Sequence, residues 1–66
     1  MFEKVKKYAQ YELENISRGF NADLALERAY GAVMFISFCG DYDPKLGDWW
    51  SDEMLPKFEQ ARRRHS

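Results

Sequence analysis

The sequence predicts an all-α fold, a three-helix bundle that residues 1–66 form as a single domain. Three segments carry apolar residues at the three- and four-residue spacing of a helix face, and glycine or proline separates these segments. A chain of 66 residues has room for one hydrophobic core, and packing three helix faces together buries all of them with short connections. We expect helices over about 2–18, 22–39 and 49–63.

The first helix is predicted over residues 2–18. One stripe of this helix holds its apolar residues, which are Phe2, Val5, Ala9, Leu13 and Ile16. Gly19 suits the left-handed position that ends a helix, and Asn21 suits the N-cap of the next helix. A turn of three residues is therefore expected between the first two helices.

The second helix is predicted over residues 22–39, because this segment has no proline and is followed by Gly40 and other turn-forming residues. A strand at 33–38 is the competing interpretation, since β-branched and aromatic residues cluster there. A lone strand would have no strand to pair with, so the helix is favoured. The face expected in the core consists of Ala22, Ala25, Ala29, Ala32, Ile36 and Cys39.

The third helix is predicted over residues 49–63, after a loop at 40–47 that is rich in glycine, proline and aspartate. Its apolar stripe contains Trp50, Met54, Phe58 and Ala61. Pro56 lies within this stripe, and a proline inside a helix removes one hydrogen bond and clashes with the preceding turn. We therefore expect the third helix to be kinked or delayed at Pro56.

Residue types with catalytic chemistry are scarce. The single histidine, His65, is next to the last residue, and the single cysteine, Cys39, lies in an apolar run where a packed, reduced thiol is expected. The spacing of the glycines matches no phosphate-binding loop. The sequence therefore predicts a protein that is not an enzyme and has no cofactor and no metal.

Five acidic residues lie close together in the loop after the second helix and at the start of the third. They are Asp41, Asp43, Asp48, Asp52 and Glu53. A calcium-binding loop is one interpretation, but Lys45 and Leu46 stand where the calcium-loop pattern requires an acid and a glycine. Acids placed at turns and at the positive end of a helix dipole are the favoured interpretation.

The sequence predicts a cytoplasmic protein without a membrane segment. Its longest nearly apolar run, residues 29–39, is well short of the roughly 20 residues that a membrane-spanning helix needs. The first residues alternate charged with apolar side chains, which is not the pattern of a signal peptide. One cysteine cannot form an internal disulfide, which favours a reducing compartment.

The second helix has an apolar surplus that points to a binding surface. Its first half has a polar side at Asp23 and Glu27, and continuing that line by helical steps reaches Tyr30, Met34 and Phe38. A helix that is apolar all round has to be covered all round. We therefore predict a partner interface at these residues, occupied by an unidentified protein or by a second copy in a homodimer.

Two alternatives bear on this interface. The 40–47 loop could fold back so that Tyr42 and Leu46 cover the apolar surface within the chain. The dipeptide Trp49-Trp50 is unusual, because adjacent helical residues point about 100° apart and cannot both lie on the core stripe. Trp50 follows the core stripe, whereas Trp49 is predicted at the edge as a fourth partner-binding residue; the alternative is that both rings pack on the end of the bundle.

The predicted function is a small protein–protein interaction module, either an adaptor or regulator or a homodimer. A nucleic-acid-associated accessory protein is the alternative, with Lys4, Lys7 and the run Arg62, Arg63 and Arg64 as its phosphate contacts. The formal net charge of −1 gives no general attraction to phosphates. In a helix-turn-helix arrangement the second helix would present Asp23 and Glu27 to the DNA groove, so nucleic-acid binding is disfavoured.

Overall fold

A computed structural model describes residues 2–39 and 43–64, which form a three-helix bundle. The elements are α1 (Phe2–Ser17), α2 (Ala22–Cys39), α3 (Pro44–Trp49), a π-helical turn (Trp50–Met54) and α4 (Leu55–Arg64). The last three follow one another directly and make up the third helix of the bundle. Because residues 33–38 lie within α2, the strand interpretation is wrong.

The joint between α1 and α2 has the predicted chemistry, and both helix boundaries are within one residue of those expected. Gly19 has a φ of +100°, which is the left-handed conformation that glycine adopts most easily. The Phe20 N–H donates to the Asn15 carbonyl at 2.9 Å, which closes the end of α1. The Asn21 side-chain oxygen accepts from the Leu24 N–H at 3.0 Å, so Asn21 is the N-cap of α2.

All three helices contribute side chains to one core. Its buried apolar residues are Val5, Ala9, Ile16, Ala25, Ala29, Val33, Ile36, Leu46, Trp49, Trp50, Met54 and Phe58. Two of the α2 residues in this core are alanines, which let the neighbouring helices approach closely. Cys39 is exposed, so the prediction of a packed thiol is wrong. The buried stripe of α2 ends at Ile36, and Cys39 is the last residue of the helix.

The third helix begins earlier than predicted, at Pro44, so residues 44–47 of the expected loop are helical. The Asp43 side chain accepts a hydrogen bond from the Lys45 N–H at 2.9 Å and caps the helix. Pro44 follows at the first helical position, where its fixed φ is favourable and its missing N–H is not needed. Asp-Pro therefore starts a helix here rather than a loop. Residues 40–42 of the expected loop lie outside the described residues.

The predicted disturbance near Pro56 takes the form of a π-helical turn, and the helix is not delayed. The Leu55 N–H donates to the Trp50 carbonyl, five residues back, instead of to a carbonyl four residues back. Pro56 follows immediately, and a proline ring crowds the carbonyl of the residue four positions earlier, here Asp52. The wider turn moves that part of the backbone and lets the chain remain helical through Pro56.

Both tryptophans are buried, with Trp49 8% and Trp50 5% exposed. The predicted edge position of Trp49 is therefore wrong, and both rings pack in the core. A π-helical turn rotates the chain by less per residue than an α-helix, which brings Met54 and Phe58 back towards the side of Trp49. The Trp49 ring meets the Phe2 ring edge to face at 6.2 Å, and this contact holds the start of α1 against the third helix.

A buried carboxylate lies between α1 and α2. Glu12 is 1% exposed, and it accepts hydrogen bonds from the Tyr8 hydroxyl at 2.6 Å and the Asn15 amide at 3.2 Å. The Arg28 guanidinium of α2 lies 4.0 Å from it and stacks over the Phe20 ring at 5.0 Å. The charge of Glu12 is therefore compensated, as burial requires. These contacts fix α1 and α2 against each other.

Replacing Trp49 with alanine tests its place in the core. We expect Trp49→Ala to lower the free energy of unfolding by about 3 kcal/mol or more, because it removes a buried indole and leaves a cavity. Urea denaturation followed by circular dichroism measures this change. Trp49→Phe, which keeps an aromatic ring, should lose less. Wild-type stability of Trp49→Ala would mean that the ring is not in the core.

The Tyr8–Glu12 hydrogen bond predicts a dependence of stability on pH. This bond raises the pKa of Tyr8 above its usual value, and partial burial and the charge of Glu12 act in the same direction. Folding thus favours the neutral phenol, and its contribution is complete below about pH 10 and lost as the pH rises through the folded-state pKa. In urea denaturation between about pH 8 and 11, wild type should lose stability more steeply than Tyr8→Phe. Equal slopes would contradict this role of Tyr8.

Candidate interaction surface on α2

One side of α2 faces solvent while α1 and α4 pack on the rest of the helix. We define the outer face of α2 as Leu24, Gly31, Phe35 and Phe38. Phe38 is 79% exposed, Phe35 is 63% exposed and Leu24 is 41% exposed. Two neighbouring phenylalanine rings that project from a well-formed helix are the most exposed apolar side chains of the described residues. Scattered apolar residues are common on protein surfaces, but two large exposed rings one turn apart on the same helix face suggest a binding surface.

The predicted partner-binding residues fall in three different environments. Phe38 lies in the outer face of α2. Tyr30 is 49% exposed and packs its ring 6.0 Å from the Trp50 ring, and Met34 is half-buried, so both border the outer face on the side of the third helix. Trp49 is in the core. The structure therefore places three of the four on or beside one surface and removes Trp49 from it.

Sequence reasoning did not assign Phe35, Leu24 or Gly31 to the candidate interface. The sequence pattern indicates the polar line that starts at Asp23 as the centre of the solvent side. In the structure Asp23 leans towards α4, where its carboxylate lies 3.5 Å from the Arg62 guanidinium. The centre of the exposed side of α2 is one residue further round the helix, on the line of Leu24 instead of Asp23. The seven-residue spacing of Leu24, Gly31 and Phe38 is the sequence signal that marks it, since such residues lie almost above one another.

The outer face also contains a helical glycine without a structural explanation inside the chain. A side chain built on Gly31 would meet no atom within 4 Å, and among the described glycines only Gly19 has a positive φ. Glycine inside a helix is about 1 kcal/mol less favourable than alanine. Gly31 is exposed, so the helix backbone is uncovered by a side chain at this position of the outer face.

Intramolecular cover by the 40–47 segment was the alternative to an interface. Leu46 is 1% exposed and belongs to the core, and Phe38 keeps most of its surface exposed. Tyr42 lies outside the described residues. Leu46 therefore packs in the core and does not cover the outer face of α2.

Charged residues border only the first half of the outer face. Arg28 is held by Glu12 on the α1 side, and Asp23 is held by Arg62 on the α4 side. From Ala29 to Cys39 the helix has no charged residue at all. Ser37 donates its hydroxyl to the carbonyl of Val33 at 2.9 Å, so its polar group is bonded within the helix. The second half of α2 therefore offers a partner mainly apolar contacts.

The two basic groups proposed for nucleic-acid contact lie at opposite ends of the bundle. Lys4 and Lys7 are in the first two turns of α1, whose start contacts Trp49 at the beginning of the third helix. Arg62 is in the last turn of α4 and pairs with Asp23 at the start of α2. The 16 residues of α1 separate the two groups by roughly 20 Å. They do not form one continuous basic surface.

Within residues 2–39 and 43–64, no three histidine, cysteine, aspartate or glutamate side chains are grouped so that they could hold a metal ion. Asp43, one of the five clustered acids, serves as a helix cap, which is the role that the sequence favoured. Of the helices described, none combines the length and apolar character needed to cross a lipid bilayer.

Comparison with known proteins gives no relative: no protein family, no curated protein and no solved structure matches this chain. The chemistry of the outer face is therefore judged from its own residues.

Truncating an outer-face ring should change stability very little. We expect Phe38→Ser to alter the free energy of unfolding by less than about 0.5 kcal/mol, because the ring makes few contacts in the folded chain. Ile36→Ala, two residues away on the buried side of α2, should lower it by about 2 kcal/mol or more. Chemical denaturation at a dilute protein concentration measures both. A large loss for Phe38→Ser would show that the ring is covered within the chain.

Proposed function

We propose that this chain is a small, non-enzymatic protein-binding module that uses the outer face of α2 to bind an apolar surface of a protein partner. The observation that carries the proposal is the exposure of Phe35 and Phe38, side by side on a helix that the rest of the fold holds in place. Aromatic side chains are enriched at the centres of protein interfaces, where they supply much of the binding free energy.

The magnitude of the apolar contact supports a specific but modest interaction. Covering the exposed parts of two phenylalanine rings would bury roughly 300 Å² and contribute on the order of 7 kcal/mol. The loss of translational and rotational freedom on association costs an estimated 4 to 15 kcal/mol. The two rings alone therefore do not ensure binding. A partner also has to fit Leu24, Met34 and the bare backbone at Gly31, which makes the shape of the outer face important for specificity.

A cytoplasmic location is part of the same proposal. Cys39 is exposed at the end of α2, next to Phe38, and a thiol in this position stays free most readily in a reducing compartment. Nucleic-acid binding has no comparable support, because Lys4 and Lys7 are remote from Arg62 and the start of α2 carries acids.

Affinity capture from cells that naturally contain the protein tests the proposed function. We expect wild type to retain partner proteins at high salt, because apolar contacts respond little to ionic strength, and the double variant Phe35→Ser/Phe38→Ser to lose them. Quantitative mass spectrometry compares the two captured sets. Tyr11→Ser is the matched control, because Tyr11 is an aromatic residue of α1 that is 54% exposed.

Two results would contradict a binding role for this face. The first is that the double variant captures the same proteins as wild type. The second is that capture disappears at high salt and is lost instead in a Lys4→Glu/Lys7→Glu variant, which would favour a charged surface.

A further inference from the structure

We infer that the joint between α1 and α2 carries a binding site for the phosphate group of a small ligand, formed by Arg18 and Arg28. This site goes beyond the proposed function, because it shares no residue with the outer face of α2. Three observations carry the inference. Both arginines line one cleft, Arg28 is held over an aromatic ring, and a chain of polar contacts connects the two arginines.

The cleft lies where the end of α1 meets the first half of α2. Its volume is about 440 Å³, within the range of roughly 300–1,000 Å³ that is usual for small-molecule sites. Asn15 lines it from α1, Arg18 and Phe20 line it from the turn, and Arg28 lines it from α2. Two guanidinium groups therefore border a space that is large enough for a phosphate and open to solvent.

Arg28 has the features of an anion-binding arginine. Its guanidinium lies over the Phe20 ring at 5.0 Å, which restricts its movement, and its side chain is 51% exposed. Its closest approach to the Glu12 carboxylate is 4.0 Å, which is longer than a hydrogen bond. A guanidinium has five N–H donors in a planar fork that matches the oxygens of a phosphate. The donors of Arg28 are therefore available to a ligand.

A chain of polar contacts joins Arg28 to Arg18. Glu12, which lies beside Arg28, accepts a hydrogen bond from the Asn15 amide at 3.2 Å, and the Asn15 oxygen accepts one from the Arg18 guanidinium at 3.4 Å. Arg18 also lies 3.7 Å from the Glu14 carboxylate, and both of these side chains are 65% exposed. An ion pair so exposed contributes little to stability, so Arg18 can exchange it for a phosphate.

The negative charges near the cleft do not cancel the attraction of the arginines. Glu12 is 1% exposed, and both of its oxygens already accept hydrogen bonds within α1. At the end of α1 the Asn15 carbonyl accepts a hydrogen bond from the Phe20 N–H at 2.9 Å, which reduces the partial negative charge of that helix end. The charged side chains that line the cleft are those of Arg18 and Arg28.

A phosphate fits two arginines better than a carboxylate does. A phosphate monoester has three strong acceptor oxygens and close to two negative charges at neutral pH, whereas a carboxylate has two oxygens and one charge. One phosphate group can therefore accept hydrogen bonds from both guanidiniums at once. Acetate is the comparison that tests this preference.

Titration followed by NMR tests the site. Isotope-labelled wild type is titrated with inorganic phosphate and, separately, with methyl phosphate and acetate, while sodium chloride keeps the ionic strength constant. We expect the side-chain Nε–H signals of Arg18 and Arg28 to shift until they saturate, and that of Arg62 to stay in place. Acetate should bind more weakly than either phosphate. Tighter binding of inorganic phosphate would identify the free ion as the ligand, and tighter binding of methyl phosphate would identify a phosphate ester.

Substitutions separate this site from a general attraction of anions. We expect Arg18→Gln to weaken methyl phosphate binding about tenfold, the loss for one hydrogen bond to a charged group. Arg28→Lys keeps a positive charge beside Glu12 but loses the planar fork, and it should weaken binding by a similar factor. Arg62→Gln is the matched control and should leave binding unchanged. Arg62 is also half-exposed and lies 3.5 Å from a carboxylate, but it belongs to α4 and not to the residues around the cleft.

Circular dichroism of each variant verifies that it is folded, and Arg18→Gln is the decisive variant because its side chain is exposed. The site would be overturned if the Arg18 and Arg28 signals did not saturate, if the Arg62 signal shifted equally, or if both cleft variants bound methyl phosphate as wild type does. The capture experiment with Phe35→Ser/Phe38→Ser does not involve the cleft. The proposed function therefore stands or falls independently of this site.

Discussion

A three-helix bundle gives each helix two neighbours, so one side of every helix has to face either solvent or a further molecule. α1 and α4 meet this constraint with charged outer sides. α2 does not, because it has no charged residue beyond Arg28. The exposed phenylalanines are therefore a direct result of placing a helix whose second half has no charged residue between only two neighbouring helices. The two rings lie one turn apart on the same side of α2.

The third helix shows how a small core obtains enough large side chains. A regular α-helix would direct Trp49 and Phe58 to different sides, and one of them would be lost from the core. The π-helical turn brings both to the same side and at the same time accommodates Pro56. Pro44 and its cap Asp43 extend this helix by more than a turn at its start, so Leu46 also reaches the core. Prolines usually break helices, but both prolines of this helix are accommodated. Pro44 is the first residue of α3, and Pro56 is the second residue of α4, just after the π-helical turn.

Sequence patterns predicted α1, α2 and their joint closely, because each depends on local chemistry: periodic apolar residues, a left-handed glycine and an asparagine cap. The third helix was harder for a physical reason. Asp-Pro is equally typical of a turn and of a helix start. The burial of Leu46 in the core, which local sequence does not reveal, decides between them. The buried position of Trp49 could not be found with a fixed rotation of 100° per residue, since the π-helical turn changes that rotation.

The candidate surface was predicted in part for similar reasons. The lack of charged residues after Arg28 points to the exposed side of α2, and Phe38 is exposed there. Phe35 was missed because the direction of solvent was inferred from Asp23, whose position is decided by a long-range ion pair with Arg62. The pattern of apolar residues alone does not reveal Glu12, because this buried residue is charged. A charged residue at a core position of that stripe, at the spacing of Val5, Ala9 and Ile16, was the available signal.

The contact between Glu12 and Arg28 has a consequence for recognition. It joins a buried carboxylate of α1 to the flank of α2, and the stacking of Arg28 on Phe20 extends the link to the turn between the helices. Rotation of α2 about its own axis would break these contacts and leave the buried Glu12 without its positively charged partner. The direction in which Phe35 and Phe38 project from the bundle is therefore fixed by contacts within the chain. In the proposed complex, such preorganisation would remove the entropy cost of ordering a backbone, which favours selection of a partner by shape.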